Sequence, residues 1–204
     1  MDKWIIGFDR VLKTLAGPVQ ITRPLGEDNN GAFLNELDQK HSAALMRVNH
    51  SGEISAQALY LGQSLTARRK DLKDMFQQAA SEESDHLGWC EIRIKELGGR
   101  TSHLNPLWFA GSFTIGACAG LFGDKVSLGF LAETEQQVGE HLAGHLEKLP
   151  AEDSRTKSII SMMRADEAKH EQSAKDAGGM ELPSPVRIMM RFCSSVMTRT
   201  AYRI

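Results

Sequence analysis

Two short words in this chain each carry a carboxylate and an imidazole three positions apart: Glu83-Ser84-Asp85-His86 and Glu167-Ala168-Lys169-His170. On an α-helix, residues i and i+3 lie one turn apart on the same face, so each word aims an acid and a nitrogen donor at one point. Random placement of 7 His and 15 Glu in 204 residues yields about 0.5 such words. Here there are two, and each has a single Glu upstream: Glu53 lies 30 residues before Glu83 (83 − 53), and Glu135 lies 32 before Glu167 (167 − 135). The chain therefore repeats Glu, then Glu-x-x-His, in two halves.

That is the ligand set of a ferritin-like di-metal carboxylate bundle, in which two helices give one Glu each and two give Glu-x-x-His. Four carboxylates offset two divalent cations. The competing explanation, surface charge, predicts polar neighbours on each helix face at about 100° per residue. Instead Glu53 shares its face with Met46, Asn49, Ala56 and Tyr60, and Glu83 with His86 shares Leu72, Phe76, Ala79, Leu87, Cys90, Ile94 and Leu97. Glu135 aligns with Leu128, Leu131, Ala132, Val138, Leu142, Leu146 and Leu149, and Glu167 with His170 lies among Ile160, Met163 and Ala174. An uncompensated carboxylate in such stripes costs several kcal/mol or is forced neutral, so metal coordination by Glu53, Glu83, His86, Glu135, Glu167 and His170 is the more economical account.

The elements that must position these residues read as helices throughout, giving an all-α fold. Asn35 to Ala67 carries Glu53 despite Gly52 and Gly62, glycines that either admit a backbone or substrate close to a ligand or mark helix packing. Asp71 is placed to cap a second helix ending at Gly98-Gly99; Asp124 starts a third, to about Leu149; Ala151 or Asp153 starts a fourth that ends near Gly178-Gly179. Between the halves, Thr101 to Gly123 has no Asp, Glu, Lys or Arg. Roughly 20 apolar residues are long enough to span a bilayer. A single crossing there would put Glu53, Glu83 and His86 on the opposite side from the other three ligands, so residues 101–123 are expected to be a buried or membrane-surface crossover. Residues 1–30 read as an amphipathic segment and linker, and 183–203 as an amphipathic helix with Arg187, Arg191, Arg199 and Arg203 beside Ile188, Met189, Phe192 and Val196. Docking at an anionic membrane face and packing on the bundle both fit these ends; an oligomer contact also fits the C-terminal helix. The remainder, 31–204, forms one bundle domain.

A chain of 204 residues, 41% hydrophobic, builds one core. A formal charge of −2 without a basic face or recognition motif excludes a nucleic-acid partner. Cys90, Cys118 and Cys193 are few and form no CxxC, as in a reducing compartment. Asp2 and Asp9 interrupt the first apolar run, which argues against a secretory signal.

The order Arg47-Val48-Asn49-His50-Ser51-Gly52-Glu53, Glu83-x-x-His86, Pro106-Leu107-Trp108, Glu135 before His141, and Asp166-Glu167-x-x-His170 resembles the demethoxyubiquinone hydroxylase family, from about residue 40 to the C-terminus. The resemblance implies a di-iron monooxygenase of ubiquinone biosynthesis, with the six residues above as ligands to two Fe(II) ions. It implies O2 and a polyprenyl benzoquinol as substrates, and peripheral docking on the cytoplasmic side of the inner membrane. Many members place Tyr where this chain has Leu142. NADH, a reducing partner and the quinol itself are all open as electron sources, with no Rossmann word present. A homo-oligomer and a lipid-presenting partner are open too.

Around the ligands, Asp166 and Glu82 are candidates to accept the second N–H of a ligating His. Glu135 and Glu167 are candidates to shift between chelating and bridging. His50 is expected to be a packed non-ligand, and His141, which with His145 forms an i, i+4 pair, to face away from the site. The rival functions are a ferroxidase and a metal-free helical membrane adaptor whose carboxylates pair with Arg47 or Arg164.

Overall fold

The computed structural model describes Thr14, Gly17, residues 21–25 and residues 33–204. Six helices lie between Glu36 and Ala201, with no strand among the described residues: α1 (Glu36–Thr66), α2 (Lys70–Glu96), α3 (Asn105–Leu121), α4 (Asp124–Lys148), α5 (Ser154–Asp176) and α6 (Ser184–Ala201). Most of the N-terminal amphipathic segment and the linker, 1–30, fall outside the described residues.

Local chemistry sets the helix ends. The Asn35 side chain accepts the Asp38 N–H at 2.9 Å, and Asp153 accepts the Thr156 N–H at 3.0 Å, which makes Asp153 rather than Ala151 the start of α5. The expected cap of α2 is displaced: Arg69 holds the N-cap position without a side-chain bond, and Asp71 lies inside the first turn, ion-paired with Arg69. There its charge still meets the positive end of the helix. Gly98, at φ +68°, stops α2, with Gly99 N–H returned to the Ile94 carbonyl at 2.8 Å.

Helices α1, α2, α4 and α5 form the ferritin-like bundle, α1 packing on α2 and α4 on α5. Helix α3 is the crossover, and it lies against α1. Glycines let the two helices touch backbone to backbone: a Cβ at Gly62 would overlap the Phe113 carbonyl oxygen, and one at Gly116 the Leu59 carbonyl. Gly62 therefore serves packing. Phe109 and Ala119 are buried, whereas Leu107, Ile115, Leu121 and Phe122 stay exposed. Among the described residues no helix is long and apolar enough to cross a membrane.

Helix α6 is moored at its C-terminal end, where Arg47 donates to the Ala201 and Tyr202 carbonyls at 2.7 Å each. Ile188, Met189, Phe192 and Val196 are exposed along it. At the far end of α5, Arg93 joins α2 to the cap: its guanidinium donates to Thr156 Oγ1 at 2.8 Å, Asp153 Oδ1 at 2.8 Å and Glu96 Oε2 at 3.0 Å.

Two apolar clusters fill the bundle. One contains Met46, Trp89, Cys90, Ile94, Leu142, Ile160 and Met163; the other contains Ala56, Tyr60, Phe76, Leu128, Leu131 and Ala174. Burying each large side chain contributes about 1.5–3 kcal/mol. Along every ligand-bearing helix the proposed ligands fall between these clusters: Glu53 between Met46 and Ala56, Glu83 between Phe76 and Trp89, Glu135 between Leu131 and Leu142, and Glu167 between Met163 and Ala174. The site is a polar layer sandwiched by apolar ones.

Candidate metal centre

All six sequence-predicted residues meet in this layer, in two overlapping groups: Glu53, Glu83, His86 and Glu167, and Glu83, Glu135, Glu167 and His170. The four carboxylates and His86 are buried, and His170 is 13% exposed at its side chain. The Nδ1 atoms of the two imidazoles face inward. His86 Nδ1 lies 2.7 Å from Glu83 Oε2, 3.3 Å from Glu167 Oε1 and 3.7 Å from Glu53 Oε2. His170 Nδ1 lies 3.1 Å from Glu83 Oε1, 3.7 Å from Glu135 Oε1 and 3.7 Å from Glu167 Oε2. Glu83 and Glu167 thus each turn one oxygen to either imidazole, the disposition of a bridging carboxylate. Glu53 serves the His86 half and Glu135 the His170 half. Of the two bridging candidates read from sequence, Glu167 occupies a shared position and Glu135 does not; the other shared position belongs to Glu83.

The electrostatics describe a site short of positive charge. Burial, with neighbouring carboxylates, pushes Glu53 and Glu135 well above the usual carboxylate range. Burial would lower both imidazoles, but Glu83, Asp166 and Glu167 hold His86 well above its ordinary value, and Glu167 with Glu83 push His170 up to about 11. Against burial, His86 and His170 keep Glu83 well below the carboxylate range. Four donor atoms, Glu83 Oε1, Glu135 Oε2, Glu167 Oε1 and His170 Nδ1, are buried without a well-aligned hydrogen bond, although His170 Nδ1 faces Glu83 Oε1 at 3.1 Å and Glu167 Oε1 faces His86 Nδ1 at 3.3 Å. Orphaned oxygens and nitrogen on a shared centre, with four carboxylates to neutralise two divalent cations, fit a di-metal centre.

The outward imidazole nitrogens are held as well. His86 Nε2 lies 3.2 Å from Asp166 Oδ2, and His170 Nε2 lies 2.8 Å from Glu82 Oε2. Asp166 and Glu82, the two candidates read from sequence, each contact an outward imidazole nitrogen, and each contact leaves Nδ1 to face the centre. Three further residues at the site were not assigned a role from sequence. The buried Tyr60 hydroxyl donates to Glu135 Oε1; its signal was its place seven residues after Glu53, on the same helix face. Arg23, from a distant part of the chain that no local pattern signals, pairs with both Asp85, next to His86, and Asp166.

The remaining predicted histidines lie elsewhere. His50 is buried with its Nδ1 3.3 Å from Asn105 Nδ2, and burial lowers it to about 4. The rings of His141 and His145 lie with centroids 4.0 Å apart and planes tilted by 59°, both are lowered by burial, to about 4 and about 3, and neither joins the cluster. Arg47, a counter-ion in the metal-free adaptor reading, instead binds the α6 carbonyls.

A family model described as "Ubiquinone biosynthesis protein COQ7" matches residues 40–201, which include all six clustered residues. The chain belongs to the COQ7 family. Curated relatives extend the match across nearly the whole chain. A "3-demethoxyubiquinol 3-hydroxylase" of Nitrosospira multiformis is 58% identical over 203 residues, covering 99% of this chain and 98% of that protein. Proteins with the same name from Nitrosomonas europaea and Ralstonia pickettii are 55% identical (99% and 98% covered) and 50% identical (100% of both). This COQ7-family chain keeps Leu142 as a fully apolar contact, 1% exposed inside the Met46 cluster. The phenol that touches the site comes from α1, through Tyr60.

Proposed function

We infer that this chain is a 3-demethoxyubiquinol 3-hydroxylase: an oxidoreductase that adds a hydroxyl group to the ring of a polyprenylated demethoxyubiquinol, using O2 at a pair of iron ions. The observation that carries the metal assignment is the pair of shared carboxylates, each offering one oxygen to either imidazole, in a chain whose relatives carry that name. Oxygen and nitrogen donors without thiolate suit iron. The chemistry such a pair supplies when bound is two-electron activation of O2, one oxygen atom entering a ring C–H bond and the other leaving as water.

The residues have separate tasks. Glu83 and Glu167 would hold both positions in common; Glu53 and His86 would complete one, Glu135 and His170 the other. Asp166 and Glu82 keep the outward N–H of each imidazole, so that Nδ1 presents its lone pair inward. Tyr60 holds one Glu135 oxygen and limits its swing. Apolar clusters on both sides exclude water, which strengthens every charge interaction within the layer.

Peripheral docking on the cytoplasmic side of the inner membrane completes the proposal. Its support is the exposed apolar set on α3 (Leu107, Ile115, Leu121, Phe122) and on α6 (Ile188, Met189, Phe192, Val196), the latter on a helix that carries Arg187, Arg191 and Arg199. Such a surface suits a substrate with an isoprenoid tail. The two electrons come from NADH, from a reducing partner or from the quinol.

The test is iron per chain after anaerobic reconstitution, followed by O2 consumption and product analysis with a short-tailed demethoxyubiquinol. Two irons and a hydroxylated ring are expected. Iron binding with Fe(II) oxidation but no ring product would make the chain a ferroxidase; no stoichiometric iron would refute the di-metal reading.

A further inference from the structure

Resting on the di-metal reading, we propose that Arg23 is a positioning residue for one half of the centre: from outside the bundle it locks Asp166, and through Asp166 the ring of His86.

The same oxygen, Asp166 Oδ2, receives His86 Nε2 at 3.2 Å and Arg23 Nη1 at 2.6 Å. Arg23 Nε donates to Asp85 Oδ2 at 3.1 Å, so one guanidinium spans an acid on α2 and an acid on α5. The short segment that presents it is itself fixed. Thr22 donates its N–H to Asp85 Oδ1 at 2.5 Å and its hydroxyl to Asp85 Oδ2 at 2.8 Å. Trp89 Nε1 donates to the Arg23 carbonyl at 3.3 Å, and the guanidinium lies 4.7 Å from the Trp89 ring centre. Trp89 in turn sits 5.3 Å from the His86 ring. His86 is therefore held at Nε2 by Asp166 and along its ring by Trp89, and Arg23 touches both holders.

Without the guanidinium, Asp85 and Asp166 face each other as like charges. Asp166 retains Lys169, which donates to its other oxygen, Oδ1, at 2.9 Å. That pull turns Oδ2 away from His86. A planar fork reaches two carboxylates at once, which an ammonium cannot.

Among the described residues the other half has no such lock. His170 Nε2 meets Glu82, whose side chain is 45% exposed and whose second oxygen takes a neutral donor, Gln78 Nε2, at 2.8 Å. Arg23 thus makes the two metal positions unequal: the His86 position is closed and slow to exchange, the His170 position more open.

The experiment uses full-length protein loaded with 57Fe(II), its release to a chelator followed in time, and its Mössbauer spectrum recorded in the diferrous state. In wild type, two release phases of unequal rate are expected. Arg23→Ala accelerates the slow phase by about tenfold or more and alters one quadrupole doublet, leaving the other unchanged; Glu82→Ala acts on the fast phase and the other doublet. Arg23→Lys recovers part of the slow phase, and Arg23→Ala combined with Asp166→Asn releases no faster than Asp166→Asn alone. Equal phases in wild type, an Arg23→Ala protein with unchanged release and spectrum, equal change in both doublets, or additivity with Asp166→Asn would each overturn the role of Arg23 while leaving the di-metal reading intact. A wild type that binds no iron would overturn both.

Discussion

Replacing the four glutamates one at a time should divide them into two classes by metal stoichiometry. Glu83 and Glu167 belong to both ligand groups, whereas Glu53 and Glu135 belong to one each. Glu83→Ala or Glu167→Ala removes a donor from both positions and is expected to leave close to no bound iron. Glu53→Ala and Glu135→Ala strip one position and are expected to retain about one iron. Stability follows the same division: at a free-metal level 100 times Kd, each occupied site contributes about 2.7 kcal/mol. In a chain of this size 1 kcal/mol moves Tm by roughly 2–4 °C, so two sites raise Tm by roughly 10–20 °C and one by about half that.

The metal-free proteins move the other way. Glu53 is raised well above 4.5 by burial and by its carboxylate neighbours, so the folded state keeps a proton that the unfolded chain has released. Metal-free stability from this group is fully present below pH 4.5 and falls by up to about 1.4 kcal/mol per pH unit above it. Glu53→Gln abolishes that slope. It should therefore raise Tm of the metal-free protein at pH 7 while lowering the gain on adding iron. Iron counted by plasma mass spectrometry after gel filtration, with thermal melts with and without metal, reads both effects. A Glu83→Ala protein that kept one tight iron, or a Glu53→Ala protein that lost both as fully as Glu83→Ala, would refute the assignment of shared and private carboxylates.

Other side chains give sharp expectations. Tyr60→Phe leaves a buried Glu135 oxygen without its donor, so metal-free stability should fall by about 1–3 kcal/mol in chemical denaturation, with two irons still bound. Arg93→Ala strands the buried Asp153 carboxylate at the α5 cap and should cost about 3–5 kcal/mol, the largest loss outside the bundle centre, measured by urea unfolding. His50, lowered by burial from 6.5 to about 4, adds stability that is fully present above pH 6.5 and is lost as pH falls towards 4; His50→Gln should flatten that part of the stability profile. Gly116→Ala drives a Cβ into the Leu59 carbonyl and should destabilise by about 1–3 kcal/mol, with α1 and α3 forced apart.

What was legible in the sequence is what depends on helical periodicity. The i, i+3 spacing of Glu83 with His86 and of Glu167 with His170, and the apolar company of Glu53 and Glu135, follow from one helix at a time. So do the ends at Asn35 and Gly98, because capping is a contact within a few residues. The division of carboxylates into shared and private was not legible, since it depends on how four helix faces are rotated about a common axis. Glu83 and Glu135 both lie in apolar stripes of their own helices, although only Glu83 is followed by a His three residues on. Arg23 was equally hidden: its partners Asp85 and Asp166 lie 62 and 143 residues away, and nothing near Thr22 marks a functional segment. The Asp71 cap failed because a first-turn acid satisfies the helix end electrostatically without occupying the cap.

The two halves of the centre differ in a way that bears on where chemistry enters. On the His86 side the imidazole is 0% exposed and is closed over by Asp166, Trp89 and the Thr22-Arg23 segment. On the His170 side the imidazole is 13% exposed, and its partner Glu82 is half in solvent. Tyr60, the phenol in contact with the carboxylates, bonds to Glu135 and so belongs to the open half as well. Leu142 sits in the apolar cluster with Met46, Trp89 and Met163, the cluster on the side of the layer away from Tyr60. A tyrosine there would have to bury a hydroxyl among aliphatic groups, at a cost of about 1–3 kcal/mol without a partner. The absence of a phenol at 142 therefore matches its surroundings, and the phenol that does bond to a carboxylate of this centre, Tyr60, bonds to Glu135, on the more exposed half.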